Sequence, residues 1–253
     1  MTDDAFWQSL VDAASAPYRR ADGHAHRFAR AKLGNDRMFR HVLQHGLVPP
    51  GAAVLDLGCG QGLFASVLHA ALEAAREGRW PAHWAPPPMG AHVTGVDPLA
   101  HDIARAQLAV PNGATFIHGD MRRIEPPPCD VALFFDTLHY ISRAEQDAVL
   151  ARVRAALRPG GTLLLRVGDA SAPLRFAYGL WIDRFTMLLH GGGFGRLTGR
   201  TREGWCATLE LLGFEVATLP MNGRKPFANL LIVARLPVTV RPQTSRVEAV
   251  TAS

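Results

Sequence analysis

The sequence predicts an α/β fold, a parallel sheet with helices packed on both faces. Three observations carry this. Seven short apolar runs of strand character recur through the 253 residues, and stretches of helical periodicity fill most of the gaps between them. Strands joined through helices need right-handed crossovers, which lay helices over both faces of the sheet. Directly behind the first strand comes a glycine-rich turn, "VLDLGCGQGLFA" at 54–65, where small residues leave backbone free to approach a ligand.

The chain opens with helical segments over 5–47. "PYRRADGHAHRFARAKLGNDRMFRHVL" interleaves aromatic and basic residues, and Phe28, Leu33, Phe39 and Leu43 recur at roughly helical spacing. "VPPG" at 48–51 then breaks the chain ahead of the first strand. Strands are expected at 52–57, 92–96, 114–117, 131–135, 161–167, 214–219 and 228–235. Helices are expected at about 62–77, 99–109, 143–157 and 201–212. Three segments depart from this alternation: the Pro/Trp-rich insertion 77–90, the apolar stretch 176–197 with its glycine run, and the polar tail. The expected organisation is a helical cap over 1–50, one domain over 51–235 with an apolar insert at about 171–197, and a disordered tail over 236–253.

Composition narrows the function classes. A hydrophobic content of 48% and a mean hydropathy of +0.03 fit a soluble enzyme. No apolar run reaches the roughly 18 residues of a membrane span, and the acidic start "MTDDAFWQSL" lacks a secretory pattern. Cys59, Cys129 and Cys206 have neither metal-ligand nor redox spacing, so a reduced, cytoplasmic setting is expected. The net charge is +5. Nearly all the positive residues are arginine, with Lys32 and Lys225 the two lysines, and they are scattered apart from clusters at 19–40 and 196–202. That pattern reflects a bias toward Arg, Ala, Gly and Pro more simply than a nucleic-acid surface, and no nucleic-acid partner is expected.

The glycine spacing is informative. A dinucleotide fingerprint G-x-G-x-x-G needs glycine at 63, where Leu63 stands; Gly58, Gly60 and Gly62 instead form G-x-G-x-G, with Asp56 two residues ahead. The second strand ends on Asp97, placed either to accept hydrogen bonds from ribose hydroxyls or to cap a helix ahead of Pro98. Asp97 follows Gly62 by 35 residues, against a usual separation of about 20; the 77–90 insertion accounts for the surplus. After the third strand, Gly119, Asp120 and Met121 form a corner that offers a carboxylate, an amide and an apolar side chain to an adenine edge.

Taken in order, "VLDLGCGQG", "VTGVD", "FIHGDM", "DVALFFDTLHYI" and "LRPGGTLLLR" resemble the class I S-adenosylmethionine-dependent methyltransferase family. The resemblance covers about residues 52–235. It implies a Rossmann-like, seven-stranded, mostly parallel sheet whose last strand is antiparallel. It further implies S-adenosylmethionine as cofactor and S-adenosylhomocysteine as product. The cofactor residues implied are Asp56, Gly58, Cys59, Gly60, Asp97, Pro98, Asp120, Met121 and Asp136. Of these, Gly58, Cys59 and Gly60 line the methionine and ribose, Asp97 holds the ribose hydroxyls, Asp120 and Met121 take the adenine, and Asp136 lies beside the methionine amino group. The 77–90 insertion leaves one edge of that pocket undefined. "FARAKLGNDRMFRHVL" and "PMNGRKPFANLLIVA" are also similar to methyltransferases encoded with bacterial aryl-polyene pigments, which implies the aromatic head group of a polyene acyl chain, free or carrier-bound, as acceptor.

Methyl transfer is an in-line displacement that asks for approach geometry more than strong acid–base chemistry. "FDTLHYI" after the fourth strand lacks the Asn/Asp-Pro-Pro-aromatic turn of amino-group methylases. His139, beside Tyr140, is a candidate base for a phenol proton, with packing as its alternative. Asp169 is a second candidate base or a solvated loop carboxylate. Asp136 and Asp169 have no Asp-Asn companion, so no metal is assigned. The 176–190 segment, rich in aromatic residues such as Trp181, reads as a lid over an apolar acceptor, as core, or as a dimer face. A nicotinamide oxidoreductase and a non-catalytic cofactor-binding protein are the alternatives to an enzyme of methyl transfer.

Overall fold

The computed structural model describes residues 1–168, 198–221 and 229–238. Its strands are β1 (Ala53–Leu57), β2 (His92–Asp97), β3 (Ala114–His118), β4 (Cys129–Phe135), β5 (Leu157–Gly168), β6 (Glu215–Pro220) and β7 (Asn229–Arg235). They form one sheet in the order β3-β2-β1-β4-β5-β7-β6. β1 to β5 pair in parallel, and β7 runs antiparallel to both β5 and β6. The expected seven strands and the antiparallel last strand are both present. β5 begins earlier than its apolar run, because "LRPGG" pairs Leu157 with Cys129 before a register shift. The expected tail beyond 238 lies outside the described residues.

The helices are α1 (Asp3–Ser15), α2 (Gly23–Asn35), α3 (Arg37–Gln44), α4 (Leu63–Arg76), α5 (Ala100–Ala109), α6 (Arg143–Ala156) and α7 (Arg202–Leu211). Single 3-10 turns occupy Ala16–Arg20 and Leu138–Tyr140. One apolar cluster joins α1–α4 to one face of the sheet through residues such as Phe6, Leu10, Leu33, Phe64 and Val93. A second joins α6 and α7 to the other face through Leu150, Val153, Trp205 and Phe134. β1 and β4 are buried along nearly their whole length, as a central parallel strand covered on both faces must be.

Helix starts divide by position. Thr2, Asp22, Asp36, Ser142 and Thr201 each cap a helix with a side-chain oxygen, Ser142 in a full capping box with Glu145. α4 and α5 start on Gly62 and Leu99 with no side-chain cap. These are the helices that leave β1 and β2 at the carboxyl edge of the sheet, and no side-chain cap takes up their first-turn amides.

The 77–90 insertion does not border that edge. It joins the end of α4 to the start of β2, at the opposite end of the strands. There Trp80 and Trp84 pack edge-on against each other and against Phe6. Arg40 lies over Trp84, His83 Nε2 sits 2.8 Å from Asp3 and the Ala85 amide donates to Gln44 O. The insertion is an aromatic clasp for α1 and α3. The edge of the pocket that the insertion left undefined is therefore not built from it.

Candidate active site

The sheet order reverses between β1 and β4, and open α/β sheets bind ligands outside the carboxyl ends of their strands at such a point. The glycine turn lies there. Gly58 and Cys59 donate to Val96 O, and Gly62 donates to Cys59 O, closing the turn against β2. All three glycines have positive φ, between 52° and 79°. Their reasons differ. A Cβ on Gly58 would meet Thr137 at 2.2 Å, and one on Gly62 would meet Ala106 at 2.8 Å, whereas one on Gly60 would meet nothing within 4 Å. Gly58 and Gly62 therefore serve internal packing. Gly60 alone of the three faces open space, whereas Thr137 requires glycine at 58 whatever the backbone there borders.

Cys59 is buried, with its thiol pushed up by burial and by the charges of Asp56 and Asp97. Its sulfur lies where a Cβ on Gly95 would come within 2.9 Å, so the side chain packs against β2 and the turn presents backbone at this position. Asp56 lies in β1 beneath the turn at 3% exposure. Burial, then the neighbouring Asp97 charge, raises its carboxyl to about 7.

Asp97 closes the opposite wall. One carboxylate oxygen accepts the Gly60 amide and the other the Leu99 amide, both at 2.9 Å. Burial raises this carboxyl, and the two amide bonds act against that. Each oxygen keeps a further lone pair for an incoming donor. Pro98 is exposed beside it, its carbonyl 3.0 Å from His118 Nε2. Asp120 is held by Arg122, which lowers its carboxyl, and Arg122 also reaches Glu145. Met121 is buried, and its carbonyl accepts from Arg152 at 3.0 Å.

Asp136 follows β4 with φ 60°, the one non-glycine residue with positive φ among the described residues. Such strain costs about 1–3 kcal/mol and persists where surroundings enforce it. Here Lys32 Nζ lies 2.9 Å from Oδ2, and Arg166, at the end of β5, forms a close ion pair with the same carboxylate. Burial opposes its charge, but Arg166 and then Lys32 hold the carboxyl at about 2. His139, in the 3-10 turn, stacks at a tilt on Tyr140 with ring centroids 4.1 Å apart, and its carbonyl accepts the Thr198 amide. Asp169 and the 171–197 insert lie outside the described residues. No cluster of potential metal ligands occurs among the described residues, and no described helix is long and apolar enough to cross a membrane.

Several site residues carried no assigned role in the sequence. Tyr18 Oη donates to Gln61 O at 2.7 Å, Gln61 Nε2 donates to Ala25 O, and Thr137 Oγ1 donates to Leu57 O. The N-terminal helices thus hold the glycine turn from above. Lys32, Asp36 and Arg166 complete the Asp136 environment. Arg166 was detectable as a charged residue within the apolar "GTLLLRVG".

A glycine turn at the switch point, an acid at the end of β2 and two uncapped helices define a nucleoside-binding α/β domain. The model of the methyltransferase domain matches residues 6–219, and the chain belongs to the class I S-adenosylmethionine-dependent methyltransferase family. Carboxy-S-adenosyl-L-methionine synthase of Chromohalobacter salexigens is 32% identical over 120 residues, covering 46% of this chain and 39% of that protein. The corresponding synthase of Aliivibrio fischeri is 28% identical over 129 residues. The chain spans less than half the length of these curated relatives, 39% and 48%. Among solved structures, magnesium protoporphyrin IX methyltransferase from Synechocystis with bound S-adenosylhomocysteine is similar, with a TM-score of 0.56 at 21% identity, over 92% of this chain and 100% of that one. At that identity the likeness shows the fold.

Proposed function

We propose that the protein transfers the methyl group of S-adenosylmethionine to a small apolar or aromatic acceptor. The observation that carries the cofactor half is the Gly60–Asp97 pair: an open face at Gly60, bonded to a carboxylate with lone pairs to spare. Asp97 accepts the ribose hydroxyls, the Gly60 backbone lies against the sugar, and Asp120 and Met121 receive the adenine. Asp136 takes the methionine ammonium. When bound, the cofactor supplies an electrophilic methyl on a sulfonium. The acceptor oxygen or ring carbon forms the new bond to that methyl as the sulfur–carbon bond breaks, and the acceptor's proton leaves to a base. His139 is the described candidate for that base, and Asp169 is the second. The aromatic composition of 176–190 suits a flat acceptor, in agreement with an aryl head group carried free or on an acyl carrier. The same segment is also the proposed site of self-association.

The reading is tested by calorimetry with S-adenosylmethionine and with NAD, followed by a methyl-donor assay on aromatic acids. Binding of the first alone, with product heavier by one CH2, is expected. Binding of NAD instead would overturn it. Binding of the methyl donor without turnover on any acceptor would leave a cofactor-binding protein.

A further inference from the structure

The net charge is concentrated in one stretch. Residues 16–40 hold seven of the 27 basic residues and two of the 22 acids, a surplus of five that equals the net charge of the whole chain, +5. Ion pairs leave much of it free. Arg30, Lys32 and Arg40 each reach an acid, and both acids of the stretch are occupied, Asp22 by Arg105 and Asp36 by Lys32 and Arg166. Arg19, Arg20, Arg27 and Arg37 are exposed and pair with no acid among the described residues. Arg19 and Arg20 precede α2 and Arg37 follows it. Arg27 lies about 200° round the helix from the buried Ala25. Its neighbour Phe28 is 42% exposed. The inner side of α2 rests on the glycine turn, where Ala25 O accepts Gln61 Nε2.

We propose that the outer face of α2 and its two flanks dock on an anionic phospholipid bilayer. Two features favour a bilayer over an acidic protein. The free arginines are strung along and beyond a helix of 13 residues, a row about 20 Å long at 1.5 Å per residue. Lipid headgroups diffuse to meet such a row, whereas a protein must hold carboxylates fixed at matching intervals. Phe28 is the second feature. An exposed aromatic ring among basic residues settles at the boundary of headgroups and acyl chains. Docked this way, α2 stands between the bilayer and the glycine turn, and a bilayer stores apolar molecules of the acceptor class proposed above. The inference does not depend on the cofactor reading, because vesicle binding is read without turnover.

Sedimentation of the full chain with vesicles tests this, using phosphatidylcholine alone and phosphatidylcholine mixed with phosphatidylglycerol. Binding to the mixed vesicles alone is expected, and it should weaken as added salt screens the exposed charges. An arginine near an anionic surface contributes about 5-fold in affinity, so Arg20→Gln combined with Arg27→Gln should weaken binding about 25-fold. Arg76→Gln combined with Arg79→Gln removes the same charge from arginines paired with Glu73 and Glu77. That variant should lose less than about 3-fold, because the field of a surface charge fades within a Debye length. Phe28→Ser should weaken binding by a factor that salt does not change. An unchanged thermal midpoint establishes that each variant is folded. Equal binding to both kinds of vesicle, binding to neither, or equal losses in the two double variants would overturn the proposal. So would retention on polyglutamate or on duplex DNA with none on vesicles, which would give the face to an acidic protein or to a nucleic acid.

Discussion

At the scale of single residues, Asp97 and Gly60 act as a pair. Replacing Asp97 with alanine removes the acceptor for the Gly60 amide and the proposed acceptor for the ribose hydroxyls. A charged hydrogen bond contributes about 1.5–3 kcal/mol, so Asp97→Ala should weaken S-adenosylhomocysteine by roughly that amount in calorimetry. Asp97→Asn should fall between, since its amide keeps one acceptor oxygen. Unchanged binding would make Asp97 only a turn residue for Leu99. Gly60→Val should abolish binding, because its side chain enters the open face, and φ 52° adds backbone strain. Gly60→Asn tolerates that φ, so a loss of binding there reports on space. These two positions were legible in the sequence because Asp97 ends β2 and Gly60 lies in the glycine turn directly behind β1. Lys32 was not legible as part of the site: its partner Asp136 is 104 residues away, and an exposed-looking helix position gives no sign of that contact.

At the scale of elements, the turn after β4 sets His139 at the carboxyl edge of the sheet. Gln146 Nε2 binds Leu138 O, Thr198 N binds His139 O, and Arg200 binds Gln146, Arg143 O and Asp147. The backbone around His139 is therefore fixed by α6 and by the segment leading into α7. If His139 is the base, His139→Ala should lower turnover about 10²–10⁴-fold at neutral pH. Part of the loss should return at higher pH, where a phenolic acceptor ionises unaided. A pH–rate profile of unchanged shape would leave Asp169, or positioning alone, as the source of rate. Strand and helix positions here were readable from periodicity. The clasp role of 77–90 was not, because its aromatic partner Phe6 comes from α1, a contact that local pattern does not encode.

At the scale of the whole molecule, the parallel sheet followed from alternating strands and helices, while its electrostatics depend on which acids the fold buries. Asp56 titrates near 7 when folded, against about 3.9 in an unfolded chain. As pH rises from about 4 toward 7, the unfolded chain releases this proton and the native protein retains it, so Asp56 makes stability fall across that window and level off above it. Asp97 is raised in the same direction. Asp136, held at about 2, acts oppositely. Its contribution is present above about 4 and is lost as pH falls toward 2. Stability should therefore be greatest near pH 4–5, below the neutral range. Urea unfolding across about pH 4–8 should show the midpoint falling as pH rises. Asp56→Asn, which cannot ionise, should flatten most of that decline and exceed wild type in stability near pH 8. The same decline in the variant would assign the titration to Asp97 and leave the carboxyl beneath the turn charged.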